Sequence, residues 1–252
     1  MTPLKLIACD PLVGLPRKPY PWLRPDLADL QGELARLQIA SAVVRHRQCL
    51  ENFAHWGNAV LARETAGHAH LIPAVALTPD GTPDAYSFGP AFQDALTRGM
   101  RVGWISPKEH MFSPRPWCAG ALYAACAAAR LPLLLDYRQV TLDDVDEIMT
   151  AHTTLRLILV QVPRFGRHRS LYALLARHAS LHLCLSSAYS VHEGLNDLVG
   201  KFGHNRFLWG CNYPESEGGA SVSLLTYADI PDAARSAIAH GNIERLLAEV
   251  AS

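Results

Sequence analysis

Short apolar runs recur along the chain, with helix-patterned polar segments between them. Eight stand out: "LKLIAC" from Leu4, "IASAVV" from Ile39, "HLIPAVA" from His70, "MRVGWI" from Met100, "LPLLL" from Leu131, "LRLILV" from Leu155, "LHLCL" from Leu181 and "RFLWG" from Arg206. They are nearly continuous in apolar character, which is the pattern of strands covered on both faces, as in the parallel sheets of α/β proteins.

The segments between them carry helix signals. "RPDLADLQGELARL" spaces Leu27, Leu30, Leu34 and Leu37 three and four residues apart behind Asp26, an N-cap residue, and "TLDDVDEIMT" opens on Thr141 with acids in its first turn. "SLYALLARHA" from Ser170 and "VHEGLNDLVGKFG", ending on Gly203, repeat the logic, and "IPDAARSAIAHGNIERLLAEV" reads as two helices broken at Gly241. Strand followed by helix, about eight times over 252 residues, predicts an α/β fold, a single (β/α)8 TIM barrel spanning residues 1–252. An open doubly wound sheet is the alternative, but no G-x-G-x-x-G or P-loop follows any strand.

Composition narrows the function classes. Lys plus Arg equals Asp plus Glu at 23 each, without runs of like charge, so the chain lacks the footprint of a nucleic-acid or membrane-surface binder. A small-molecule substrate or ligand is the expected partner, no cofactor is called for, and a homo-oligomer is compatible with the sequence. The six cysteines are scattered without a C-x-x-C pair, which predicts reduced, packing cysteines and a cytoplasmic location. The alanine-rich "CAGALYAACAAARLPLLL" is interrupted by Arg130 and Pro132 and makes a poor membrane span.

A barrel builds its active site from the C-terminal ends of its strands. Those ends carry Asp10; Arg45 and His46; Ser106, Lys108 and His110; Asp136 and Arg138; Gln161 and Arg164; Ser186 and Ser187; and Asn212. Any one of them is explained by the polarity of loops and the turn chemistry of Asp and Asn. Together they bring carboxylates, cations and amides to one mouth, a mixture suited to a small anionic molecule, since guanidinium groups meet carboxylates through a planar fork. Among the histidines, His46 and His110 sit closest to strand ends. The Ser186-Ser187 pair lies in no G-x-S-x-G elbow, and Cys211 reads as packing.

The residues resemble the amidohydrolase superfamily, and within it the amidohydrolase-related metal-dependent hydrolases of TIM-barrel fold. "FGHNRFLWGCNYP" is similar to that family's last-strand motif, "HGNIERLL" to its closing N-x-x-R-L-L helix, and "LENFAHWGNAVLARE" to its G-N-x-x-L helix. "GMRVGWISPKEHMF", "LPLLLDYRQ" and "LRLILVQVPRFG" occupy the places of further family segments. The resemblance implies metal ligands at an H-x-H after the first strand, a histidine after the fifth and sixth, and an aspartate after the eighth. This chain has Leu12, Gly14, Asp136, Gln161 and Asn212 there. Leucine and glycine side chains bind no metal and the amides are weak ligands, so a family-type zinc site is not expected. "CDPLVGLPRKP" resembles a metal-poor branch of these barrels, with Arg17 in the following loop.

Three functions fit. One is hydrolysis of a small anionic ester, lactone or amide without a metal, with Asp136 or Asp10 as general base. In it His46, Lys108, His110, Arg138, Gln161, Arg164 and Asn212 bind substrate or stabilise developing charge. Another is a barrel that binds a small ligand without catalysis. The third is a hard-cation site of Asp10, Asp136 and the side-chain carbonyls of Gln161 and Asn212.

Overall fold

The computed structural model describes residues 4–16, 21–23, 25–79, 88–163, 169–189 and 191–251. Its strands are β1 (Ile7–Ala8), β2 (Leu12–Val13), β3 (Ser41–His46), β4 (Leu71–Ala76), β5 (Val102–Ile105), β6 (Leu133–Asp136), β7 (Leu157–Val160), β8 (His182–Leu185) and β9 (Phe207–Trp209). The helices are α1 (Leu27–Arg36), α2 (Gln48–Glu51), α3 (Ala54–Thr65), α4 (Phe88–Thr97), α5 (Pro116–Ala128), α6 (Leu142–Ala151), α7 (Arg169–Arg177), α8 (Gly194–Phe202), α9 (Gly219–Thr226), α10 (Asp232–Ser236) and α11 (Asn242–Ala248).

β1 and β2 both pair in parallel with β3 and share one position, and from β3 onward each strand pairs in parallel with the next. Main-chain bonds from Cys9 N to the Trp209 carbonyl (3.0 Å) and from Leu12 N to the Tyr213 carbonyl (3.1 Å) bring the last strand back to the first. The fold is a TIM barrel of eight parallel strand positions, nearly closed, with helices around it. Every apolar run of the sequence holds one of those positions.

The strands look continuously apolar because their two faces fill two different cores. Ile7, Cys9, Val43, Ala74, Ala76, Val102, Trp104, Leu134, Ile158, Val160, Cys184 and Leu208 pack together in the lumen. The residues between them, such as Ala8, Val44, Leu133, Leu135, Leu183 and Phe207, pack outward with the helices. Ile243 and Leu246 of α11 join the lumen cluster, so the last helix forms the barrel floor. Asn242 fixes it there by donating through Nδ2 to the carbonyls of His204 (2.7 Å) and Phe207 (2.8 Å).

The helix caps follow the sequence. Asp26 accepts from Asp29 N at 2.7 Å, and Thr141 and Asp144 form a reciprocal capping box. The expected break at Gly241 is absent: Gly241 keeps right-handed helical angles, and a π-helical turn over Ala237–Gly241 carries α10 into α11. A single glycine weakens a helix by only about 1 kcal/mol, and packing against β9 and the floor outweighs that. The alanine-rich run is α5, its buried face formed by Ala119, Leu122, Tyr123 and Cys126. Among the described residues no helix is long and apolar enough to cross a membrane.

His182, the first residue of β8, shares the inward phase of Cys184 and is buried, with Nδ1 donating to the Ser180 carbonyl at 2.8 Å. Burial lowers its pKa from 6.5 to about 4, and the cations of Arg245, Arg206 and Arg156 push the same way. The unfolded chain therefore binds more protons than the folded one between those values. The stabilisation is complete above the unfolded pKa and is lost as pH falls toward the folded pKa, by about 3 kcal/mol in all. His182→Leu should flatten the urea-midpoint profile over that window; an unchanged slope would dismiss His182 as its source.

Candidate active site at the barrel mouth

The first polar residue after β1 joins the two ends of the barrel. Asp10 is buried, and its carboxylate accepts from the main-chain N–H of Cys211 (2.8 Å) and from that of Asn212 (3.1 Å to both oxygens). Burial pushes its pKa up while those N–H groups and Arg45 pull it down. The carboxylate that the sequence offered as a general base or cation ligand is thus engaged by the main chain of the β9 end. Gly210 shows how close the approach is, because a Cβ there would lie 2.4 Å from Asp10 Cγ. Gly210→Ala should cost about 1–3 kcal/mol in urea unfolding, the range for overpacking a filled core. A wild-type midpoint would show that the contact relaxes freely.

Strand phase decides which other side chains reach the lumen. Arg45 follows Val43, and Asp136 follows Leu134, in the inward phase. Arg45 is 4% exposed, donates through Nη2 to the Asp10 carbonyl (2.6 Å) and lies with Cζ 5.6 Å from the centroid of the Trp104 ring. Burial lowers its pKa, opposed by the charges of Asp136 and Asp10.

Asp136 ends β6 and is gripped by the residue two places on. Arg138 donates to Oδ1 from its main-chain N (2.8 Å) and Nε (3.0 Å), and to Oδ2 from Nη2 (2.7 Å). This fork, with the carboxylate holding it, raises the Arg138 pKa. The Arg138 side chain is still 56% exposed, and its Nη1 lies 3.8 Å from Glu215. Lys108 comes from the β5 loop and donates through Nζ to the Arg138 carbonyl, so two of the expected cations share one corner of the mouth.

The amides meet on the neighbouring corner. Gln161 Nε2 donates to Asn212 Oδ1 at 2.7 Å, and Asn212 Nδ2 donates to Ser216 Oγ (3.1 Å) and Ser187 Oγ (3.4 Å). Both amide residues are left-handed, with φ of 59° and 60°. Asparagine adopts that region more readily than most residues, but glutamine does so at a cost that clusters at functional sites.

Two expected histidines sit elsewhere. His46 takes the outward phase of Val44 and is buried behind β3, its Nδ1 accepting from Gln48 N (3.1 Å) and its Nε2 3.4 Å from Glu64 on α3. A Cβ on Gly14 would strike its ring at 2.9 Å, so the side chain is enclosed and its expected contact with substrate is not supported. His110 donates through Nε2 to the Cys49 carbonyl at 2.6 Å, tying the β5 loop to α2 in place of a free position at the mouth. Arg164 and Arg17 lie outside the described residues. Burial raises the thiols of Cys49, Cys126, Cys184 and Cys211, consistent with their packing role. No local pattern pointed to Ser216, which sits four residues beyond Asn212, or to Trp104 as a polar group facing the lumen.

A family model described as amidohydrolase matches residues 2–248. The chain belongs to the amidohydrolase family. No curated protein sequence matches it. Solved structures share its fold across nearly the whole length. 5-Carboxyvanillate decarboxylase from Sphingomonas paucimobilis is 14% identical, with a TM-score of 0.77 and coverage of 98% of this chain and 99% of that one. A putative 2-pyrone-4,6-dicarboxylic acid hydrolase from Pseudomonas putida is 14% identical, with a TM-score of 0.72 and 98% coverage of each chain. A dihydroxybenzoic acid decarboxylase from Polaromonas, with bound manganese and the inhibitor 2-nitroresorcinol, is 14% identical, with a TM-score of 0.69 and 97% coverage of each.

The side chains at the positions where the amidohydrolase resemblance implies metal ligands are otherwise engaged or apolar. Leu12 and Gly14 offer no side-chain ligand, Asp136 is held by Arg138, and the Gln161 and Asn212 amides bond to each other. Among the described residues no three His, Cys, Asp or Glu side chains gather as a metal would require.

Proposed function

We propose that this amidohydrolase hydrolyses an ester, lactone or amide bond in a small anionic substrate without a transition metal, using Asp136 as general base. The observation that carries the reading is the Asp136–Arg138 pair, a carboxylate at the end of a barrel strand gripped by a half-exposed guanidinium. In the resting arrangement Arg138 fills most acceptor positions of the carboxylate. When substrate enters, the Arg138 fork moves to the substrate carbonyl oxygen, where negative charge develops, and the lone pairs of Asp136 are released. Asp136 then takes a proton from water as the water oxygen bonds to the carbonyl carbon. The bond from that carbon to the leaving oxygen or nitrogen breaks, and Asp136 returns the proton to the leaving group.

Lys108 adds positive charge beside Arg138, and Gln161 and Asn212 orient the ligand through their amides. The substrate class is supported by the carboxylated rings named for the structural neighbours. A second reading, binding without catalysis, is favoured by one observation: the amide network of Gln161, Asn212, Ser187 and Ser216 is already partnered internally.

A screen of carboxylated esters, lactones and amides separates the two. Hydrolysis by the wild type that is lost in Asp136→Asn supports the first reading. A ligand that binds but is never turned over selects the second. Release of carbon dioxide from a carboxylated phenol, with no hydrolysis, would replace the reaction class altogether.

A further inference from the structure

We propose that Arg45 and Trp104 form a carboxylate-anchoring subsite inside the barrel, below the Asp136–Arg138 pair, and that Trp104 Nε1 is one of its donors. The proposal rests on the mouth being a ligand site, as argued above, and it assigns the group that holds the substrate's negative charge.

Both side chains belong to the uppermost part of the lumen. Arg45 is the next-to-last residue of β3 and Trp104 the next-to-last of β5, while β4 between them contributes Ala74 and Ala76 to the lumen. Those two small side chains let the large ones stack across β4, at 5.6 Å from guanidinium carbon to ring centroid. Trp104 is 2% exposed.

Hydrogen bonding leaves this lumen pair with unmet donors. The Nε of Arg45 and the Nε1 of Trp104 are buried N–H donors without an acceptor among the described residues. A buried donor left unpaired costs about 1–3 kcal/mol, and more when charged, so native interiors rarely keep one. Two on stacked side chains at the head of a barrel lumen call for acceptors beyond the described residues. The nearby carboxylates are already engaged, Asp136 by Arg138 and Asp10 by the main chain of Cys211 and Asn212. A ligand carboxylate has the matching chemistry: two acceptor oxygens in one plane and a charge opposite to that of Arg45.

Calorimetric titration of the full chain with sodium benzoate, and with benzamide as the neutral counterpart, tests the assignment. Wild type should bind benzoate at least about tenfold more tightly than benzamide. Trp104→Phe keeps the stacked ring and removes the donor, so benzoate should weaken about tenfold, the value of one charge-assisted hydrogen bond, with benzamide unchanged. Arg45→Lys, which keeps the charge and removes Nε, should weaken benzoate likewise, and far-ultraviolet circular dichroism confirms that both variants fold. Equal benzoate affinity in wild type and Trp104→Phe, no preference over benzamide, or no benzoate binding by wild type would each overturn the subsite. Hydrolysis that is lost in Asp136→Asn while Trp104→Phe binds benzoate normally would sink this proposal alone. Benzoate binding that depends on Trp104, in a protein that hydrolyses nothing, would sink the hydrolase reading alone.

Discussion

Asp136→Asn is expected to lower kcat on a hydrolysed substrate by about 10²–10⁴-fold, the range that a positioned general base contributes. The amide is nearly isosteric with the carboxylate, so β6 and its turn into Tyr137–Gln139 should persist. It accepts no proton near neutral pH, and it offers the Arg138 fork one acceptor oxygen where the carboxylate offers two. Anion affinity should hold or rise, because a competing negative charge beside Arg138 and Arg45 has gone. Lower kcat with KM unchanged or reduced is therefore the signature of a lost base, whereas a higher KM at constant kcat would recast Asp136 as a binding group. Equal kcat in the two proteins removes it from the mechanism.

Asp10→Ala should have the largest effect on stability, about 3–5 kcal/mol in urea unfolding, which is the cost of breaking a buried charged arrangement from one side. The N–H groups of Cys211 and Asn212 lose their acceptor, and Arg45 loses one of the two carboxylates that offset its burial. The loss also falls where the first and last strands meet. A shift below 1 kcal/mol would mean that water or Arg45 replaces the carboxylate, and that closure rests on the main-chain bonds from Cys9 and Leu12.

The barrel was legible in the sequence because each strand carries apolar residues on both faces, and length and spacing leave few other ways to bury eight such runs. Asp136, Gln161 and Asn212 were legible as strand-end residues for the same reason. The sequence placed His46 at the mouth because proximity to a strand end was read without strand phase, and it offered no sign that Asp10 is engaged by the main chain of Cys211 and Asn212. Val43 and Val44 look alike in sequence, yet one faces the lumen and the other the helices, and the residue two places on inherits that choice. Arg45 and Trp104 went unread as partners because β4 separates them, and only the alanines at 74 and 76 let them touch. Ser216 reaches Asn212 through a loop whose path no local pattern specifies.

The floor of the lumen is a helix that follows every barrel strand along the chain. Ile243 and Leu246 arrive after all the strands they pack beneath, and Asp10 waits for Cys211 and Asn212, about two hundred residues away along the chain. Contacts of such separation are slow to form, because the entropy of closing a long loop precedes any gain from it. No amino-terminal half of this barrel can therefore be a finished object on the ribosome. Until α11 emerges, the lumen of Val102, Leu134 and Ile158 stays open to water from below, and the mouth gains its geometry only when the opposite end is sealed.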